Sequence, residues 1–395
     1  MKCLLVLNQY YWPALEATGQ LLTELCEGLA PKYEITVVAG GGAGPGRTRR
    51  NGVEIVRVPS TAFSRRRLPA RAANYLSYVV LAALRGLSAR RPDVVLCKTD
   101  PPFVGAAAYL VARRFRVPFV AVSKDVFPET AVQLGMLKNP LAIHALDRLI
   151  RFYLQRADRV VAIGETMRTR LIEKGVAPER LRVIPDWVDT AAIRPAGDEN
   201  AWRREQGLDG RLVVMHSGNV GHAQDLETLV RAAALLRDVQ RLSIVVVGEG
   251  VRRAELVRLA GELEAEPVRF LPYQPRELLA ESLAAADVHF VGLAAGLSGY
   301  VVPSRLYGVL AAGRPAIVAA DEESEAVRLV RLSGCGICLP PGDPQKLADT
   351  VRAIAAGDYD LDAMGRRGRA FVVANADRAV GIRRYEKLLT EILGP

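Results

Sequence analysis

The sequence predicts an α/β protein built as two doubly wound, Rossmann-like parallel-sheet domains that face each other across a cleft. Three observations predict it. At 395 residues the chain is too long for one ordinary domain and suits two, each large enough to bury a core. Hydrophobic residues make up 50% and charged ones 24%, the balance of a folded globular chain rather than a disordered or fibrous one. Short Val/Ile/Leu-rich runs alternate with longer helical patterns in both halves, and uninterrupted apolar runs are what strands buried on both faces of a parallel sheet require.

In chain order, strands are expected over residues 3–7, 35–39, 53–58, 94–97, 119–122, 160–163 and 183–184 of the first half. The second half offers 212–215, 242–247, 268–271, 288–291, 316–318 and 336–339. Between the halves, Asp186-Trp-Val-Asp and then residues 190–200, with Pro195, Gly197 and several charges, lack either periodicity, so they read as a linker. The expected domains are therefore 1–190 and 191–375. A closing segment, 376–395, places Ile382, Tyr385, Leu388, Leu389 and Ile392 on one helical face, with the first domain as the candidate surface for it to dock on.

Composition narrows the function classes. Five scattered cysteines are not a secreted disulfide framework, and Cys335-Gly-Ile-Cys338 lacks the second ligand pair that structural zinc needs. The apolar run at residues 3–7 is too short for a signal-peptide core, which points to a cytoplasmic chain. Residues 1–190 hold 28 Lys+Arg against 16 Asp+Glu, and residues 191–395 hold 25 against 27, so the excess positive charge lies in the first half. Its partner would be anionic. Nucleic acid would favour aromatic residues among the arginines, and few are there. An anionic membrane surface is the other candidate. Residues 72–84 are apolar almost all round but fall short of the roughly 20 that span a bilayer. Arg65, Arg66, Arg67 and Arg71 precede them and Arg85, Arg90 and Arg91 follow, so this helix either lies on lipid or belongs to the core with solvated basic ends.

Several segments could carry chemistry. His216-Ser-Gly-Asn-Val-Gly follows a strand and leads to a helix with Leu226, Leu229, Val230, Ala233 and Leu236 inward, a geometry in which Gly218, Gly221 and free amides favour a phosphate. A tight turn without ligand is the alternative. Ser304 is placed to cap a short helix ended by Gly313, and Arg305 in its first turn is a cation at the wrong end of the dipole unless an anion joins it. Gly248-Glu-Gly-Val-Arg-Arg begins like a dinucleotide fingerprint, but Arg253 replaces the third glycine; Arg252 or Arg253 could reach the same phosphate. Tyr273 could stack on a base or pack at an edge. In the first half, Thr18 and Gly19 open a helix that could approach phosphate, and Asp125 follows the strand 119–122 as candidate acid/base or acceptor-orienting carboxylate, with Glu129 as substitute. Asp358-Tyr-Asp has the spelling of a metal-binding DxD but reads as a helix start, so neither metal nor cofactor is expected.

At these motifs the sequence resembles the GT-B-fold glycosyltransferases, specifically the retaining, metal-independent family-four enzymes of bacterial capsule, O-antigen and exopolysaccharide assembly. The resemblance runs through Tyr10-Tyr-Trp-Pro with Thr18-Gly-Gln, Lys124-Asp-Val-Phe-Pro-Glu, Ile184-Pro-Asp-Trp-Val-Asp, Ser217-Gly-Asn-Val-Gly, Val247-Gly-Glu-Gly, and Pro303-Ser-Arg-Leu-Tyr-Gly with Ala311-Ala-Gly-Arg-Pro. It implies a nucleotide-sugar donor (UDP- or GDP-sugar) in the second domain and a lipid-linked or saccharide acceptor in the first. Asn219, Gly221, Arg253, Ser304 and Arg305 would surround the diphosphate, with Glu249 and Tyr273 as further substrate contacts. Many members carry two glutamates where this chain has Tyr300 and Gly308, so Glu325 is the candidate for ribose recognition instead. Two rival readings remain: a sugar-nucleotide epimerase-like enzyme, and a catalytically silent nucleotide-sugar-binding scaffold.

Overall fold

The computed structural model describes residues 1–13, 17–41, 44–61, 63, 68–196 and 200–394. Arg65, Arg66 and Arg67 of the expected basic stretch, and Gly197 of the expected linker, lie outside the described residues, as does the side chain of Arg71. The chain forms two units. The first comprises Met1–Asp186, Gly299–Val301 and Ala379–Pro395; the second comprises Trp187–Ser298 and Val302–Arg378. The change of unit falls after Asp186, ahead of the boundary expected at 190. Val188 pairs with Asp377, its amide donating to the Ala376 carbonyl at 3.0 Å, which fastens this stretch to the second unit.

The first unit carries an eight-stranded sheet of β1 (Lys2–Leu7), β2 (Tyr33–Ala39), β3 (Gly46–Arg50), β4 (Val53–Arg57), β5 (Val94–Lys98), β6 (Phe119–Ser123), β7 (Arg159–Ala162) and β8 (Leu181–Val183), in the order β3-β4-β2-β1-β5-β6-β7-β8. Seven of its strands are parallel. β3 is an antiparallel edge strand that the hydrophobic pattern did not predict, because four of the five residues of Gly-Arg-Thr-Arg-Arg are exposed. Such a charged edge suits protection against further strand pairing. Strands β5 and β6 are buried at every position, as two-sided packing requires.

The second unit carries β9 (Leu212–Ser217), β10 (Leu242–Val247), β11 (Val268–Leu271), β12 (Val288–Gly292), β13 (Ala316–Ala319) and β14 (Gly336–Leu339), all parallel in the order β11-β10-β9-β12-β13-β14. Strand alternation divides its core. Val214, Ile244 and Val246 face the larger cluster with Leu226, Leu229 and Val230, while Val213, Met215, Val245 and Val247 face Trp202 and Leu208 on the other side. Sequence and topology together thus give two Rossmann-like halves.

The closing helix, Arg378–Leu393, buries Tyr385, Leu388 and Leu389 within the first unit, and Ile382 packs so tightly on Gly28 that a Cβ there would lie 2.4 Å from it. Among the described residues, no helix is long and apolar enough to cross a membrane.

Candidate functional site

Open α/β sheets place their ligand crevice beyond the carboxyl ends of the strands, where strand order reverses. In the first sheet the reversal lies between β1 and β5, and in the second between β9 and β12. Thr18 and Gly19 follow β1, Asn219 and Gly221 follow β9, and Arg305 is hydrogen-bonded to the last residue of β12. Asp125 follows β6, one strand beyond the first reversal.

In the second unit two glycine turns are packed on one another. Gly218 has φ +143° and Gly248 φ +146°; a Cβ on Gly248 would sit 1.9 Å from the Gly218 carbonyl oxygen, and one on Gly250 would sit 2.2 Å from that of Val220. The lack of side chains at Gly248 and Gly250 lets the turns touch, a packing role that the sequence did not assign to them. Most turn amides are also engaged. Gly218 donates to Val247 O at 2.9 Å, Val220 to Glu249 O at 2.9 Å, and Gly221 to the side-chain oxygen of Gln224 at 3.0 Å. The long helix does not open directly from this turn, because a 3₁₀ turn (His222–Gln224) and left-handed Asp225 intervene before Leu226–Ala234.

What the turns present instead is a buried cation. Arg305 lies against Gly218, whose Cβ position is 3.7 Å from its Cδ, and donates through one terminal nitrogen to the Gly292 carbonyl at 2.8 Å. Its Nε has no partner, and among the described residues no carboxylate pairs with it. Burial pulls its pKa down to about 10, partly offset by Tyr273. Burial and the Arg305 charge also hold His216 well below the usual imidazole range, so its ring is neutral, with Nε2 3.3 Å from Asn219 O. Tyr273 is half-exposed, and burial followed by the Glu249 carboxylate raises its phenol. Arg305, Tyr273, Glu249 and the Gly218 turn therefore form one neighbourhood.

The remaining predicted residues of this unit divide. Arg253 opens its helix, with Nε 3.6 Å from Glu249 and otherwise unsatisfied. Arg252, the other choice, is committed to Glu227 and Glu255. Ser304 does not cap the helix Arg305–Ala311: its backbone is already helical at φ −59° and ψ −22°, and its side chain makes no capping bond, whereas a capping residue takes an extended backbone. Glu325 opens the helix Glu325–Ser333, buried, its carboxylate on Arg328 at 2.9 Å.

In the first unit, Thr18 donates its hydroxyl to Asp100 at 2.8 Å, and Gly19 accepts from the Thr23 hydroxyl at 2.9 Å. Lys98, at the end of β5, was missed by the sequence reading. It is buried, donates to the Thr18 carbonyl at 3.4 Å, and is pulled down to about 7 by burial and by Lys124, against Asp186, Cys26 and Asp100. Lys124 is itself clamped on both carboxylate oxygens of Asp186, with both residues buried. The signal was a charged Lys98-Thr-Asp triplet at the carboxyl end of a buried strand beside the reversal. Asp125 is exposed, and its backbone bridges Val301 while Val126 donates to Tyr300 O at 2.9 Å. Tyr300, at one missing-glutamate position, lies under the Arg170 guanidinium at 4.7 Å. Glu129 is spent on Lys174 at 2.6 Å. Asp360 of the DxD-like segment caps a helix by accepting from Ala363 N at 2.8 Å.

Comparison with known proteins adds a second line. Residues 17–187 match the glycosyl transferase 4-like domain, and residues 198–371 match glycosyl transferases group 1. The chain is 29% identical over 313 residues to the "Probable glycosyltransferase WbjE" of Pseudomonas aeruginosa, covering 77% of this chain and 76% of that one. It is 28% identical over 274 residues to WcaI of Escherichia coli (strain K12), a candidate glycosyl transferase of colanic acid biosynthesis, covering 68% of this chain and 65% of the relative. In fold it is similar to Anabaena Alr3699/HepE, solved in complex with UDP, with TM-score 0.76 at 15% identity over 99% of this chain and 100% of that one. WaaG, a glycosyltransferase involved in lipopolysaccharide biosynthesis, gives TM-score 0.72 at 15% identity over 99% of this chain and 100% of its own.

Proposed function

Because the chain belongs to the family-four glycosyltransferases of GT-B fold, we propose that it moves a sugar from a nucleotide diphosphate sugar, a UDP- or GDP-sugar, to a lipid-linked or saccharide acceptor in bacterial surface polysaccharide assembly. The observation that carries the donor half is Arg305. A buried guanidinium without a carboxylate, held against a glycine turn at the strand-order reversal, is a site short of one anion, and a diphosphate supplies it. Arg253 and the Asn219 amide add donors from the neighbouring turns, and Tyr273 offers a face to the base. In this reading the side-chain cations, rather than the engaged turn amides, take up the charge that develops on the leaving diphosphate, without calling on a metal ion. Retention of the anomeric configuration is carried over with the family.

In this reading the acceptor half belongs to the first unit, and Asp125, exposed beyond β6, is the carboxylate that orients or deprotonates the attacking hydroxyl. The association of WcaI with colanic acid biosynthesis supports the acceptor class. One observation favours the silent-scaffold reading: Tyr300 and Gly308 stand at both positions where many members carry glutamate. Donor binding without turnover would favour it.

The test is thermal protection of the purified chain by UDP-, GDP-, dTDP- and ADP-sugars, with and without magnesium, because a ligand that binds only the folded state raises apparent stability. One base class is expected to protect, without need of metal, and Arg305→Ala to remove the shift. Failure of every nucleotide sugar to protect would defeat the donor assignment.

A further inference from the structure

We infer that the outward face of three adjacent helices of the first unit, Leu68–Leu87, Val104–Phe115 and Pro140–Leu154, is a docking surface for an anionic phospholipid bilayer; it deepens, and rests on, the reading of a lipid-linked acceptor. The three helices form one layer. Gly86 of the first meets Val111 of the second, and Gly105 of the second meets the Tyr153 ring, each so closely that a Cβ would lie 2.7 Å and 2.3 Å from its neighbour. With their inner faces spent this way, the side chains left outside belong to one surface.

That surface is apolar where an ordinary layer would be polar. Leu76, Val80 and Leu84 are 56%, 56% and 60% exposed, and their spacing of four sets them in one stripe along the first helix. Leu110 continues it on the middle helix at 53%, and Leu149 and Phe152 on the third. Single exposed leucines need no explanation, but a stripe repeated across adjacent helices marks an interface.

Its charge selects the occupant. The first two helices contain no acidic residue, and Asp147, the only one on the third, is held by Lys174 and Arg151 at 2.7 Å each. Arg113 and Arg114 are exposed in the last turn of the middle helix, Arg91 is exposed beyond the end of the first, next to Arg90 on Glu34 at 3.6 Å, and Arg156 lies over the Phe152 ring at 4.1 Å. Aliphatic side chains rimmed by arginine match a bilayer that offers hydrocarbon beneath anionic headgroups. A second copy meeting this face by two-fold symmetry would oppose arginine to arginine, and nucleic acid would want stacking aromatics where the stripe is mostly aliphatic.

The experiment is co-sedimentation of the full chain with vesicles of phosphatidylcholine alone or mixed with phosphatidylglycerol, at low and high salt. It is repeated for Leu76→Ser/Val80→Ser/Leu84→Ser and for Arg113→Ser/Arg114→Ser, with nucleotide-sugar protection and light scattering on the same samples. Binding is expected on the anionic vesicles only, weakened about tenfold or more by salt and by each variant, while protection by the nucleotide sugar is retained. Retained protection also shows that the variants are folded. No binding to anionic vesicles, or binding that both variants leave unchanged, overturns the inference. So does a dimer that the triple serine variant dissociates without any vesicle binding. Vesicle binding without nucleotide-sugar protection in any form defeats the donor reading and leaves the docking face standing.

Discussion

The two sheets end in opposite charge arrangements at their points of strand-order reversal. In the second unit the Arg305 guanidinium is buried against Gly218 with no carboxylate. In the first, Lys98 ends β5 at the reversal, acted on by the charges of Lys124, Asp186 and Asp100, and Lys124, one strand beyond, is clamped by Asp186. Both places bury cations, but carboxylates act on those of the first unit, whereas among the described residues none acts on Arg305. A buried pair is internally balanced and argues for structure, whereas a lone buried cation stores an electrostatic debt that an anionic ligand settles. Position at the reversal therefore nominates both places, and charge balance separates a binding site from a brace.

The largest effect tests the brace. Lys124→Met strands the Asp186 carboxylate in the core and should cost about 3–5 kcal/mol in denaturant unfolding, while Lys124→Met/Asp186→Leu should recover most of it. A single-variant cost below about 1 kcal/mol would place the pair in a solvated setting and dissolve the contrast. Arg305→Ala should behave in the opposite way. It relieves a buried, unpaired charge, so the ligand-free protein should lose little stability, while donor affinity falls by about 3 kcal/mol, on the order of 100-fold, by titration calorimetry. Equal loss of both would make Arg305 a structural residue.

Lys98 sharpens the comparison through pH. Its folded value of about 7 lies below the ordinary 10.5, so between those limits the unfolded chain binds the extra proton and stability rises with pH. The cost is full below about pH 7 and gone above about pH 10.5. Buried Cys26, pushed up to about 12, works with the opposite sign above pH 9, so the Lys98 contribution is read as wild type minus Lys98→Met across unfolding midpoints. A difference of about 1–3 kcal/mol between pH 6 and pH 10 is expected. A flat difference would mean that Asp186 and Asp100 keep Lys98 charged throughout, and that the brace is tighter than its burial suggests.

These arrangements were unequally legible in the sequence. Strands such as β5 and β6 announce themselves because burial on both faces demands continuous apolar runs, and helix Leu226–Ala234 because its inner face repeats at helical spacing. β3 did not, since backbone pairing with β4 and the ion pairs of Arg47 with Glu54 and Arg50 with Glu27 hold it, and no buried apolar side chain marks it. Arg305 stood out by contradicting the helix dipole. Lys98 ends an apolar strand like any solvated terminus; only the fold shows that Thr18 and Asp100 close over it. The glycines of the two turns were recognised by type but not by partner, because the close approach of Gly248 to Gly218 joins segments that pattern alone does not connect.

The smallest effect concerns two serines. Ser324 accepts from Val327 N at 3.2 Å as the cap of its helix and is wholly buried, so Ser324→Ala should cost about 1 kcal/mol. Ser304 makes no capping bond, so Ser304→Ala should change stability by less than about 0.5 kcal/mol. Its hydroxyl stands one residue before the unanswered guanidinium. If that neighbourhood receives a diphosphate, Ser304→Ala should lower donor affinity by about 1 kcal/mol, the worth of one hydrogen bond, while Ser324→Ala leaves affinity alone. The reverse pattern, in which Ser304→Ala costs stability and spares donor binding, would return the Arg305 turn to the same class as the Lys124 brace.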